Sequence, residues 1–190
     1  MNFAISSVKV NVWKWCDSLL KIAWGMTGAG HFLAECVDLA VSLEQADIFL
    51  SRAAVEVIKM YRMAGRLEKG AHPVFPERSA SAPEVGGFYT GKYRLLVIAP
   101  ATSNSVAKFV HGISDTLIAN LFAHAGKGRV PAVVLPSDVG ETMLSPAPGK
   151  TVTVFPRDVD LANVEKLAAM ERVTVVRCVE ELKACLASCL

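Results

Sequence analysis

Leu95-Leu-Val-Ile-Ala99, followed at once by Pro100-Ala-Thr-Ser-Asn-Ser105, decides how this chain folds. An unbroken apolar run of this length has no polar face. It reads as a strand buried on both sides of a parallel sheet. The small and hydroxyl-bearing residues that follow lead into a helix expected to begin near Ser105. The same grammar extends in both directions. Upstream, Leu20–Trp24 is an apolar run that exits through Gly25-Met-Thr-Gly-Ala-Gly30. A helical pattern from His31 to Gln45 places Leu33, Cys36, Val37, Ala40 and Val41 on one face. A strand at Ile48–Leu50 ends on Ser51, and a helix over Ala53–Ala64 is expected to close at Gly65.

Downstream, Gly112 interrupts, Asp115 is placed to cap, and helix resumes over Thr116–Ala125. Ala132–Leu135 is a strand. A Pro/Gly-rich loop leads to a strand at Thr151–Phe155, a helix over Leu161–Met170, a strand at Val173–Val176 and a closing helix over Glu180–Ala187. Strands alternating with helices predict a three-layer α/β/α sandwich around a mainly parallel, Rossmann-like sheet. Residues 65–94 carry many prolines and glycines and no clear period. They read as a long loop, which we expect to cover a substrate. Arg66, Lys69, Arg78, Lys92 and Arg94 are its candidate contacts to an anionic tail.

Composition bounds the rest. At 190 residues the chain suits one domain, with residues 1–19 as an N-terminal extension and 20–190 as the globular part. In the extension Val8, Val10 and Val12 alternate with Lys9 and Asn11, as an edge strand or an arm would. Hydrophobic residues make up 52% and charged residues 20%, which excludes a disordered chain. A net charge of +2 gives no basic face for nucleic acid. No apolar run approaches the roughly 18 residues of a membrane span, and the first residues lack the pattern of a signal peptide. Five cysteines, none in a Cys-x-x-Cys, argue against a disulfide framework and for a reducing, cytoplasmic setting. No metal-ligand set is read.

In sheets of this kind ligands bind beyond the carboxyl ends of the strands. Three strand exits, Gly25–Gly30, Ser51–Ala53 and Ala101–Ser105, bring glycines, hydroxyls and helix N-termini to one edge, a chemistry suited to phosphate. Gly-Met-Thr-Gly-Ala-Gly by itself fits a plain tight turn as well as a phosphate cradle. It is not the dinucleotide fingerprint, because Ser51 stands where the ribose-binding acid belongs, and no Gly-Lys-Ser/Thr makes it a P-loop. His31 at a helix start and Asp138 at a strand exit are the candidate proton donors.

Pro100-Ala-Thr-Ser-Asn-Ser105 with Gly112, Asp115 and Leu117 resembles the homo-oligomeric flavin-containing flavoproteins, which include cysteine decarboxylases and flavin prenyltransferases. The resemblance covers roughly residues 20 to 186. It implies FMN as cofactor, with Thr27, Gly28, Ala29, Ser51, Thr102, Ser103, Asn104 and Ser105 as its contacts, and a homo-oligomer that shares the pocket. The decarboxylases carry Pro-x-Met-Asn-x-x-Met-Trp where this chain has Leu135-Pro-Ser-Asp138, and no His lies in Gly86–Arg94. Trp24-Gly-Met-Thr-Gly-Ala-Gly-His31, Ala99–Lys108 and Asp160-x-x-Asn-Val-Glu-Lys-Leu167 look most like the dihydromethanopterin reductase branch. That implies reduction of 7,8-dihydromethanopterin to its tetrahydro form, with NAD(P)H or a redox protein as electron donor. Decarboxylation, prenyl transfer and a non-enzymatic flavin carrier are the alternatives.

Overall fold

The computed structural model describes residues 20–80 and 82–189. The expected N-terminal extension lies outside the described residues. The chain runs β1 (Lys21–Met26), α1 (Leu33–Ser42), β2 (Ala46–Leu50), α2 (Arg52–Met60), α3 (Ala64–Lys69), β3 (Val74–Pro76), a 3-10 helix (Pro83–Phe88), β4 (Tyr93–Ala101), α4 (Ser103–Val110) and α5 (Leu117–Lys127). It continues with β5 (Ala132–Pro136), β6 (Met143–Ala147), β7 (Lys150–Val154), α6 (Asp158–Ala168), β8 (Val173–Val175) and α7 (Val179–Cys189).

Six strands form one sheet in the order β3-β2-β1-β4-β5-β8, every neighbouring pair parallel. The alternation of side chains along each strand divides the core in two. Trp24, Met26, Ile48, Leu95, Val97, Val133 and Leu135 face α1, α2, α3 and α7. Ala23, Phe49, Leu96, Ile98, Ala132 and Val134 face α4, α5, α6 and the 3-10 helix. The three-layer α/β/α expectation therefore holds. Each large apolar side chain buried this way contributes about 1.5–3 kcal/mol.

Asp47 is fully buried in β2, between Lys21 Nζ at 2.8 Å, Lys92 Nζ at 2.6 Å and the Tyr93 hydroxyl at 2.8 Å. Burial opposes its ionisation, but the hydrogen bonds from Lys21, Lys92 and Tyr93 outweigh that and hold the carboxyl below its ordinary range. The network ties β2 to the starts of β1 and β4, at the end of the sheet away from the strand exits.

Several expectations need correction. Residues 65–94 are not one loop, for they contain most of α3, the edge strand β3 and the 3-10 helix. Short elements of three to six residues carry too little periodicity to be seen in sequence. Two of the basic side chains assigned there to a substrate tail are engaged elsewhere, Arg66 with Asp38 at 2.9 Å and Lys92 with Asp47. The helix from Ala53 does not run to Gly65. It stops at Met60, Arg62 takes φ +57, and Gly65 lies inside α3. Thr151–Phe155 does not join the parallel sheet. Its residues in β7 pair antiparallel with β6, and the turn between them carries Pro148 and Gly149, the latter at φ +76. Finally, α4 begins at Ser103 rather than Ser105, and Thr116, not Asp115, caps α5.

Candidate active site

The strand order reverses between β1 and β4: the chain winds outward through β2 and β3 on one side, then through β4, β5 and β8 on the other. Such a switch point leaves a crevice at the strands' carboxyl ends. Here the two central exits are stapled together. Thr27 Oγ1 donates to the Pro100 carbonyl at 2.9 Å and accepts from the Thr102 backbone N–H at 2.7 Å. The Trp24 indole N–H donates to the Ala99 carbonyl at 2.9 Å.

Three helix N-termini meet at this crevice. Ser51 caps α2, its Oγ accepting from the Ala54 N–H at 3.0 Å. Thr102 caps α4 through the Ser105 N–H at 3.4 Å, and its hydroxyl lies 3.1 Å from the Ser105 hydroxyl. Thr116 caps α5 through the Ala119 N–H at 3.2 Å. Glu77, just beyond β3, bridges two of them: its carboxylate accepts from the Arg52 N–H and the Leu117 N–H, both at 3.0 Å. Gly28 makes the close approach of α2 possible. A Cβ there would lie 2.5 Å from the Ala53 Cβ and 3.0 Å from its backbone carbonyl carbon.

The result is a cavity of about 510 Å³, within the range of small-molecule and cofactor pockets. Of the residues expected to hold a cofactor, Thr27, Gly28, Ser51, Thr102, Asn104 and Ser105 line it. Ala29 and Ser103 are not among its lining. Ala29 is buried, its N–H on the Thr27 carbonyl at 2.9 Å, and the Ser103 hydroxyl turns to Asp138. Arg52, inside the Ser51–Ala53 exit, also lines the cavity, as do Glu77 and Thr116, neither of them among the expected cofactor contacts. Thr116 carried a legible signal, a threonine before an apolar run. Glu77 carried none, because its partners lie 25 and 40 residues away in sequence.

Lys108 reaches the cavity but is paired with Asp115 at 2.6 Å. The hydrogen bond from Lys108 holds the Asp115 carboxyl below its ordinary range. Both carboxylates at the cavity are thus matched, Asp115 by an ammonium and Glu77 by two N–H groups. The rest of the polar lining is Arg52, Asn104 and a set of hydroxyls, gathered where three helices begin. That donor set fits a phosphorylated cofactor. Among the described residues no group of three or more His, Cys, Asp or Glu is arranged to hold a metal ion, and no helix is long and apolar enough to cross a membrane.

His31 and Asp138 lie beside this cavity rather than in its lining. His31 occupies the turn before α1. Asp138 follows β5 and takes hydrogen bonds from the hydroxyls of Ser103 and, at 3.3 Å, Ser137. His124, by contrast, packs against the Tyr89 ring on the outer face of α5.

A parallel α/β sheet with a cavity at its switch point, ringed by three helix N-termini, defines the class. The comparisons define the family: residues 14–189 match the model of the Flavoprotein family, and the chain belongs to it. It is 42% identical over 176 residues to an uncharacterised protein of Methanocaldococcus jannaschii, covering 87% of this chain and 93% of that one. It is 38% identical over 144 residues to a dihydromethanopterin reductase (acceptor) of Methanosarcina mazei, covering 69% of this chain. The match spans 60% of that reductase's length. Among solved structures it is similar to DmrB of Burkholderia xenovorans in complex with FMN, described as a cubic protein cage for redox transfer. The TM-score is 0.81 at 45% identity, over 90% of this chain and 94% of that one.

Proposed function

We propose that this chain binds FMN in the cavity at the β1/β4 switch point and reduces the C=N bond of 7,8-dihydromethanopterin, giving the tetrahydro form. The observation that carries the reading is the meeting of the α2, α4 and α5 N-termini around one donor-rich cavity. The names of the reductase relative and of the FMN-bound neighbour support it.

Bound FMN supplies the hydride chemistry. The chain's own residues do the rest. Gly28, Ser51 and the first turn of α2 receive the phosphate. Thr102, Asn104 and Ser105 present donors and an acceptor to the polar ring edge. Glu77 and Thr116 hold the flanking helix ends in place. We further propose that the active form is a homo-oligomer, as the cage described for the neighbour suggests.

Heat-released ligand analysed by mass spectrometry should be FMN; release of NAD or FAD instead would refute the cofactor assignment. Anaerobic mixing of the photoreduced protein with the dihydropterin should reoxidise the flavin and yield tetrahydropterin. Bound FMN that is not reoxidised by any dihydropterin would leave a flavoprotein of another reaction.

A further inference from the structure

Reducing a C=N bond requires a hydride at carbon and a proton at nitrogen, and a side-chain cluster beside the cavity is built to hold that proton. His31 follows Gly28 by three residues, in the turn that the cavity shares. The next residue, Phe32, takes φ +62 at the N-cap position of α1 and makes no side-chain cap. A left-handed conformation at a bulky residue is costly, and such outliers gather at functional sites. It sets the Phe32 ring 3.8 Å from the imidazole. The His31 Nδ1 atom is buried and has no hydrogen-bond partner among the described residues.

The second member of the cluster is Asp138, which follows β5. Its carboxylate accepts from the hydroxyl of Ser103, the first residue of α4, whose neighbours Thr102 and Asn104 both line the cavity. The charged and polar groups that face the imidazole are Glu35 on α1, Asp138 and the Leu144 carbonyl of β6. Arg157 lies within electrostatic reach of Asp138. The Tyr61 hydroxyl, donating to the Pro146 carbonyl at 2.6 Å, pins the β6–β7 hairpin beside them. Burial, the largest effect, lowers the basicity of His31, while Glu35, Asp138 and the Leu144 carbonyl oppose it.

We propose that His31 delivers the proton to the ring nitrogen of the pterin, and that Asp138, anchored by Ser103, is the positioning residue that lets His31 hold that proton. This rests on the pterin-reductase reading. In the balanced step the C=N carbon gains a hydride, and reduced FMN, its source, is oxidised by two electrons to FMN. The pterin ring nitrogen gains the proton, an N–H bond of imidazolium His31 breaks, and neutral imidazole is left to be reprotonated from solvent.

The first test needs no cofactor or turnover. The His31 Hε1 resonance, followed by NMR in the FMN-free protein, should titrate below the ordinary histidine value. In Asp138→Asn the midpoint should fall further, because a charge that favours imidazolium is gone. The second test uses the FMN-loaded protein. In wild type kcat/KM for the dihydropterin should fall as pH rises through the His31 midpoint. In Asp138→Asn that limb should move to lower pH, and in His31→Gln it should vanish. Ser103→Ala should shift the limb in the same direction as Asp138→Asn. A His31 resonance unmoved by Asp138→Asn overturns the role of Asp138. A wild-type pH limb kept in His31→Gln overturns the role of His31. Wild-type protein that binds FMN but reduces no dihydropterin fails the functional reading itself, an outcome separate from both.

Discussion

Gly28 shows how one missing side chain shapes the site. A methyl group there would sit 2.5 Å from the Ala53 Cβ and 3.0 Å from its backbone carbon, so α2 would have to withdraw from the turn. Gly28→Ala should therefore lower FMN affinity at least tenfold, equivalent to about 1.4 kcal/mol, as measured by fluorescence titration of the refolded apoprotein. Asn104→Ala should also weaken FMN, by about 0.5–1.5 kcal/mol for the hydrogen bonds its exposed amide would make to the bound ring. His124→Ala, remote from the cavity, should not. Equal affinities in those two variants would remove Asn104 from the ring edge. Asp47 is the residue whose effect lies in stability. In Asp47→Ala the buried Tyr93 hydroxyl loses its acceptor and two ammonium groups lose their counter-charge. The cost should be about 3 kcal/mol in urea unfolding at pH 7. The folded pKa of Asp47 is depressed, so its contribution is complete above the unfolded value of about 3.9 and is lost as pH falls through the folded one. The gap between wild type and Asp47→Ala should accordingly narrow in acid below about pH 4. The glycine turn and the small residues after Ala99 were legible in sequence because close approach leaves a mark on residue type. Asp47 was not, because nothing local announces that its partners come from two other strands.

At the scale of elements, Glu77 joins what the chain keeps apart. Its carboxylate fastens the first N–H groups of α2 and α5, and negative charge at a helix N-terminus is favourable. Glu77→Ala should cost about 1–2 kcal/mol of stability and weaken FMN binding by letting both helix ends drift. Glu77→Gln, which keeps one acceptor oxygen, should lie between it and wild type in both measurements. Were Glu77→Ala to match wild type in thermal unfolding and in FMN titration, the strap would have no energetic role. Long elements were readable: β1, β4, β5, α5 and α7 fall within a few residues of their sequence-based bounds. The short ones between residues 64 and 88 were not. A three-residue strand such as β3 is defined by its pairing with β2 rather than by its own pattern.

At the scale of the whole molecule, the hairpin of β6 and β7 and the start of α6 carry exposed apolar side chains, Leu144 at 67%, Phe155 at 72% and Val159 at 53%. Exposed apolar side chains of this kind suit contact between subunits. Light scattering should find a homo-oligomer, and Phe155→Asp combined with Leu144→Asp should reduce its mass while leaving the far-ultraviolet circular dichroism intact. A wild-type monomer with full FMN occupancy would refute assembly as a condition for the site. By itself the sequence determined the layer architecture, since strands buried on both faces and helices apolar on one can pack in few ways. It also determined which strand exits bring glycines and hydroxyls together, because those residue types are local requirements. Only the tertiary structure decided that β6 and β7 leave the sheet, that Glu77 reaches the cavity, and that the Ser103 hydroxyl turns to Asp138. Hydrogen bonds between residues 25 to 40 positions apart depend on where the chain crosses itself, and no short-range pattern encodes that crossing.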